Sequence, residues 1–260
     1  MLRALAILRE LNRQRNTTVD ALHRATRLPK PTVVRLLDTL IAAGLIKKGD
    51  RGIGYHVTSD VMSLSAGFHG GPLVAEAGRP WAAELTQRLK WPAAIGVQDG
   101  GRIAVSLSTT ADSAVSPFHA TVGVRFSLLT RAIGRAYLAF CPASERHILM
   151  RMLAASADPE DNPPNLEQVA RAMIATVRRQ GYALRDPKVE PRSSNTVAVP
   201  IFLGEAVAGT IGLSYFRSAV SHQVLTGDLI PALKEASREI TVSMERLQQR
   251  RAPGPAADAA

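Results

Sequence analysis

Leu2, Leu5, Leu8 and Leu11 recur every three residues with Arg3, Arg9 and Arg13 on other faces, the pattern of an amphipathic helix. Asn16, Thr17 and Thr18 offer cap-forming side chains before a shorter second helix with Val19, Leu22 and Ala25 on its inner face. Leu28-Pro29-Lys30-Pro31 breaks the pattern, because each proline fixes φ and removes a donor, which suits a turn or a first helical turn. A third helix is predicted over residues 30–43, burying Val33, Leu36, Leu37, Leu40 and Ile41 and stopping at Gly44. Two extended stretches, 45–48 and 54–57, flank the glycine-containing segment 49–53 and predict a hairpin. Three helices and a basic hairpin describe a winged helix-turn-helix.

Beyond it, Thr58-Ser59-Asp60 can cap a connector helix over residues 59–68, whose stripe Val61, Leu64 and Phe68 either joins two copies of the chain or covers the winged helix. Gly70-Gly71-Pro72 is the clearest break in the first half and sets the boundary between two domains. The expected division is a winged helix-turn-helix domain 1–58, a connector 59–71, a second domain 72–250 and a disordered tail 251–260. The second region reads as α+β. A helix over 74–90 should kink or restart at Gly78 and Pro80, and strands 93–98 and 102–108 form a hairpin around Asp99-Gly100-Gly101. Two to four helices between 130 and 180 are interrupted by the polar, proline-rich segment 158–165. Strands 196–203 and 206–215, joined at Gly204-Glu205, precede a closing helix over 226–250.

Composition narrows the class. The 260 residues are 46% hydrophobic and 21% charged, a globular balance without an uninterrupted membrane-length apolar run or a secretory leader. A cytoplasmic protein without membrane partners fits. Cys141 stands alone, so neither an internal disulfide nor a multi-thiolate metal site can be built; it reads as a structural thiol. The formal net charge of +10 is unevenly spread: residues 1–70 hold 11 basic and five acidic residues, a net +6. A polyanion contact is therefore to be sought in the winged helix first.

In a helix-turn-helix the first turns of the second helix face base edges, which places Lys30, Thr32, Val33 and Arg35 there. Lys30 and Thr32 reach phosphate or bases, and Arg35 is long enough for a bidentate guanine contact or, alternatively, an ion pair within the domain. Lys47, Lys48 and Arg51 on the hairpin suit phosphates or the minor groove of double-stranded operator DNA.

Leu5-Ala6-Ile7-Leu8, the run Leu28-Pro29-Lys30-Pro31-Thr32-Val33-Val34-Arg35-Leu36-Leu37-Asp38-Thr39-Leu40, and Ala43-Gly44-Leu45-Ile46 resemble the winged helix of the IclR family of bacterial transcriptional regulators. The resemblance continues through Gly134-Arg135-Ala136-Tyr137-Leu138-Ala139, Gly181-Tyr182-Ala183, Val199-Pro200-Ile201-Phe202 and Val207-Ala208-Gly209-Thr210-Ile211-Gly212-Leu213, in family order. Trp91-Pro92, the stretch 130–141 and Val199 to Phe202 further resemble the branch that activates catabolism of aromatic acids, hydroxyphenylpropionate among them. The chain departs from the family in starting almost on its first helix.

This resemblance implies a GAF-like effector domain with a mixed sheet flanked by helices, no cofactor, a homo-oligomer that is a dimer or a dimer of dimers, and RNA polymerase as a possible partner. Matched residue by residue, the family's carboxylate pocket falls on the backbone of Ala132 and Ile133, on Asp186, on Thr196 in place of the common cysteine, and on Ser214. Gly212 replaces a usual serine, which is expected to enlarge the pocket for a ring-bearing acid. The first turn of the helix after Thr130 presents unpaired N–H groups, with Arg131 at that end, Arg125 as a second cation, and His119 or Arg102 as further candidates. The expected ligand is a small aromatic carboxylate with its carboxyl group at residues 130–133 and its polar substituents near Asp186, Thr196 and Ser214. Phe118, Phe126, Tyr215 and Phe216 serve either the core or ring stacking. No HExxH, paired CxxC, G-x-S-x-G or GxGxxG occurs, so catalysis is not expected; an enzyme domain tethered to a DNA-binding module and a repressor answering a short aliphatic acid are the alternatives.

Overall fold

The computed structural model describes residues 1–13, 17–49, 54–65, 72–117 and 122–251. The chain divides into two units, Met1–Gly70 and Gly71–Ala260.

In the first unit α1 (Leu2–Arg13), α2 (Val19–Thr26) and α3 (Lys30–Ala42) precede the hairpin of β1 (Ile46–Lys48) and β2 (Tyr55–Val57). Ile7, Leu8, Leu11, Leu22, Val33, Leu37, Leu40 and Ile46 form its core. Leu2 and Leu5 do not belong to it, being 84% and 43% exposed. A three-residue step turns about 300° around an α-helix, so a strict three-residue repeat drifts until Leu2 and Leu11 face opposite ways. Thr18 caps α2 by accepting from the Ala21 N–H at 3.3 Å, whereas Asn16 lies outside the described residues. Arg27 closes α2 at φ 56°, and Pro29 opens α3. A 3-10 helix, Ser59–Ser65, stands where an α-helix was expected. Its Val61 packs on the winged-helix core, Leu64 is 62% exposed, and Phe68 lies outside the described residues.

The second unit is built on a six-stranded sheet. Its strands are β3 (Ala93–Asp99), β4 (Arg102–Ser108), β5 (Arg125–Phe126), β6 (Ala183–Leu184), β7 (Ser194–Leu203) and β8 (Ala206–Phe216), in the order β5-β4-β3-β8-β7-β6. Every described pairing is antiparallel, which corrects the expected mixed sheet. The physical reason is connectivity: β3–β4 and β7–β8 are tight hairpins, and hairpins pair only antiparallel. One face is covered by α4 (Leu73–Leu89) and the C-terminal helix, the other by α5 (Ala132–Phe140), α6 (Ala143–Ala154) and α7 (Leu166–Gln180). The C-terminal helix is preceded by a short turn, α8 (His222–Val224), and a π-helical stretch, Leu225–Leu229; α9 then runs from Ile230 to Arg251. The remainder of the expected tail lies outside the described residues.

Helix α4 is continuous through Pro80. Tertiary packing outweighs the lost hydrogen bond: the backbone of Gly78 sits so close to the sheet that a β-carbon would come 2.2 Å from Ile95 Cδ1, and Trp81 Nε1 donates to Ser243 Oγ on α9 at 3.1 Å. Gly134 plays the same part for α5. A β-carbon there would meet the Ser127 carbonyl oxygen at 2.4 Å, so the glycine of the Gly-Arg-Ala motif lets the helix lie against the strand-to-helix loop.

Candidate DNA-reading face and effector site

On α3 the residues expected to read DNA separate into two sets. Lys30 and Arg35 are exposed and Thr32 is half-buried, but Val33 is fully buried in the core. Of the two expectations for Val33, the buried stripe holds and the reading-face placement is corrected: it belongs with Leu37 and Leu40, spaced four and seven residues apart on the inward side. Its neighbour Val34 is 39% exposed and lies outward beside Arg35, where an apolar side chain suits a thymine methyl group. The sequence contained this signal, since only one of two consecutive valines can follow the period of Leu37 and Leu40. Arg35 makes no ion pair among the described residues. Lys30 is engaged: its Nζ lies 2.8 Å from Asp20 Oδ1, and this hydrogen bond holds the Asp20 carboxyl below its ordinary range. The pair ties α3 to α2 across the turn at Arg27.

Lys47 and Lys48 project from β1, both exposed, opposite His56 and Tyr55 of β2. Arg51 lies outside the described residues. Among the described residues, Arg35, Lys47 and Lys48 have no acidic partner, which leaves them available for phosphate and base-edge contacts.

In the second unit the expected effector residues converge around the N-terminus of α5, with one exception. Ala132 and Ile133 form the first turn, and its N–H groups have no intrahelical acceptor. Arg131 occupies the N-cap position and supplies no side-chain cap. Asp186 is brought there by its backbone, whose N–H donates to the Thr130 carbonyl at 2.9 Å. Thr196 and Ser214 are direct cross-strand partners on β7 and β8, with their hydroxyl oxygens 3.0 Å apart. The exception is Arg125. It is bound to Asp99 through both an ion pair of 3.1 Å and a 2.8 Å hydrogen bond to the Asp99 carbonyl. Adjacent strand residues point to opposite faces, and it is Phe126 that faces Arg131, 5.2 Å below the guanidinium carbon. Arg125 is thus corrected to a clamp on the β3–β4 turn.

Three of the remaining candidates also find structural roles. Arg102 is held by Asp158 and by Asp161, and His119 and Phe118 lie outside the described residues. Tyr215 and Phe216 pack edge-on against Trp91 with ring centroids 6.4 and 6.1 Å away; Tyr215 belongs to the core and Phe216 is half-buried. Gly212 does not open a pocket: Ile133 fills the place, its Cγ2 only 3.1 Å from where a β-carbon would stand.

Two residues absent from the expectation stand at the site. Glu160, on the 158–165 segment, accepts from Thr130 Oγ1 at 3.0 Å and pairs with Arg131 Nη2 at 3.3 Å. Nothing in a polar, proline-rich run distinguishes that acid from its neighbours Asp158 and Asp161. Arg185, one residue before Asp186, is buried beside Thr196. No sequence period marked it, because the strand it extends, Ala183–Leu184, is only two residues long; in the fold, alternation carries Ala183 and Arg185 to the same inward face. Cys141 is buried, and burial together with Glu145 pushes its thiol up to about 11, which fits the structural reading.

A winged helix with exposed cations on its recognition helix and hairpin, followed by a separate sheet domain with polar groups at a helix N-terminus, fits a DNA-binding regulator with an effector-binding domain. Residues 2–50 match the IclR helix-turn-helix domain and residues 72–242 match the bacterial transcriptional regulator IclR C-terminal domain. The chain belongs to the IclR family of transcriptional regulators, which are not enzymes. The HTH-type transcriptional regulator XynR of Escherichia coli is 25% identical over 220 residues, covering 84% of this chain and 86% of that protein. The IclR structure of Thermotoga maritima superposes with a TM-score of 0.65 at 16% identity, over 94% of this chain and 97% of that one. An IclR homolog from Microbacterium hydrocarbonoxydans, complexed with 4-hydroxybenzoate, superposes with a TM-score of 0.62 at 17% identity, over 94% and 98% of the two chains. No helix among the described residues is long and apolar enough to cross a membrane.

Proposed function

We propose that this regulator activates genes of aromatic-acid catabolism on binding an aromatic carboxylate, and that the ligand lies between the first turn of α5 and the Thr196–Ser214 pair. The observation that carries the reading is that pair. Two half-buried hydroxyls 3.0 Å apart, each able to donate and accept, face a helix N-terminus that favours negative charge. The aromatic part is supported by the 4-hydroxybenzoate held by the Microbacterium homolog. In the full assignment residues 1–58 bind operator DNA, 59–71 connect, 72–250 receive the effector, and the chain acts as a cytoplasmic homo-oligomer that engages RNA polymerase. Base reading falls to Arg35 with Thr32 and Lys30, and phosphate contact to Lys47, Lys48 and Arg51.

One observation favours a second reading, a repressor answering a short aliphatic acid: Ile133 occupies the space that Gly212 was expected to free for a ring. Thermal unfolding separates the two. A ligand that binds the native state raises the melting temperature, by mass action. Hydroxylated benzoates, phenylpropionates and cinnamates should do so and acetate, pyruvate and glyoxylate should not; a rise with the short acids alone rejects the aromatic assignment. Transcription from the cognate promoter, rising or falling on addition of the active acid, decides activation against repression.

A further inference from the structure

Arg185 is the one lysine or arginine among the described residues that is buried, at 3% exposure. It extends the line of β6: Ala183 pairs with Ala198 and Leu184 with Val197, and the Arg185 N–H then donates to the Thr196 carbonyl at 3.1 Å. The register therefore sets Arg185, Thr196 and Ser214 in one cross-strand row. Alternation along the strand places that row on the face of Ala183 and Ala198, which α5 covers.

Only one of the three guanidinium nitrogens is used. Nη2 donates to the Pro191 carbonyl at 2.6 Å, to the Ser194 carbonyl, and to Ser194 Oγ at 3.3 Å, whereas Nε and Nη1 are buried without an acceptor. No carboxylate forms an ion pair with it among the described residues. Burial lowers the guanidinium from its ordinary value, and the nearby charges of Arg131 and Arg217 push the same way. Glu190 pulls against them, but its carboxylate is exposed and paired with Arg192 at 3.0 Å. Arg131 contributes a further buried nitrogen, Nε, with no acceptor. A buried cation with unmet donors, beside two more cations, is costly unless an anion completes it.

We propose that Arg185 is the anion receptor of the effector domain, taking the carboxylate of a small monocarboxylic acid through its unpartnered nitrogens, with Arg131 beside it and the Thr196–Ser214 hydroxyls completing the site. This deepens the effector reading above and rests on it. It also assigns the carboxylate to the strand side of the site, since Glu160 already pairs with the side chains of Thr130 and Arg131 at the helix end.

Isothermal titration calorimetry on the full chain tests the assignment with four probes: 4-hydroxybenzoate, 4-hydroxybenzamide, pyruvate and pyruvamide. Charge-assisted hydrogen bonds set the expected effect: the acid that binds the wild type should bind Arg185→Gln about 10- to 100-fold more weakly, and its amide should bind the wild type weaker by a similar factor. Unchanged affinity of Arg185→Gln for the acid overturns the proposal and leaves the aromatic reading standing if that acid is 4-hydroxybenzoate. Binding of pyruvate alone, lost in Arg185→Gln, keeps Arg185 as receptor and removes the aromatic reading. If Arg185→Gln does not fold, because its loop contacts are gone, equal affinity of the wild type for acid and amide overturns the proposal and a preference for the acid that Arg185→Lys retains supports it. Binding of none of the four to the wild type overturns both readings.

Discussion

Ile133 lies over Gly212, and the absence of a side chain at position 212 is what lets α5 approach the sheet. A β-carbon at 212 would come 2.9 Å from the Val197 carbonyl oxygen, 3.1 Å from Ile133 Cγ2 and 3.2 Å from Ala198 Cβ. Gly212→Ala should therefore destabilise the effector domain by about 1–3 kcal/mol, the usual cost of overpacking. Removing the γ-carbons of the helix residue relieves part of the clash, so Ile133→Ala/Gly212→Ala should be more stable than the sum of the single changes allows. Urea unfolding of the four proteins measures the coupling, and strict additivity would show that the two residues do not share the space.

Consecutive valines on α3 should behave in opposite ways. Val33→Ala removes buried methyl groups from the winged-helix core and should cost about 1–3 kcal/mol of stability. Val34→Ala should leave stability within about 0.5 kcal/mol, as surface changes do, and alter preference at a single base pair of the operator. Chemical unfolding and binding isotherms on a panel of operator variants check the two halves; a stable Val33→Ala protein refutes the core placement.

Arg35 and Lys48 should differ in kind. Arg35→Ala is expected to weaken operator binding by about 1–3 kcal/mol and relax one base position, while Lys48→Ala weakens all sequences alike and lowers the salt slope by about one. Isotherms on operator and random duplexes at two salt concentrations distinguish these. Equal losses on both duplexes for Arg35→Ala would move it to the phosphate contacts.

Leu64 is an apolar residue with 62% exposure on the 3-10 helix beside Val61, which is occupied by the winged-helix core. If copies of the chain associate there, Leu64→Glu should shift the sedimentation equilibrium toward monomer while the wild type remains at least dimeric at micromolar concentration. A monomeric wild type ends the oligomer proposal, because one recognition helix reads too few base pairs to select a genomic site.

The Cys141 thiol should be inert in the folded chain. With its pKa raised to about 11, roughly one molecule in a thousand carries the reactive thiolate at pH 8, and the residue is 1% exposed. A thiol reagent should modify it only on unfolding, and rapid reaction in native buffer contradicts the structural role.

The elements that were legible in the sequence are those whose periodicity and punctuation agree. The β3–β4 hairpin pairs Asp99 with Arg102 across Gly100-Gly101, as its alternation and turn residues require. The winged helix was legible for the same reason, since prolines, caps and apolar spacing point to one arrangement. Two-residue strands such as Arg125–Phe126 and Ala183–Leu184 carry too few positions for any period, and their pairing is decided by the longer strands beside them. At the site, Thr196, Ser214 and Asp186 followed from family pattern, but Arg125 was a cation chosen for charge alone, and charge does not say which face of a strand it leaves by. Glu160 could not be found at all, because its partnership with α5 spans 29 residues to Arg131 and 30 to Thr130 across an irregular segment.

That segment joins two parts of the effector domain through side-chain ion pairs and hydrogen bonds. Asp158 and Asp161 grip Arg102 at the start of β4, and Glu160 between them grips Thr130 and Arg131. It works as a tie rod with a fixed length. Both grips lie within four consecutive residues, so a substitution that displaces this segment is expected to disturb the start of β4 and the approach to α5 together.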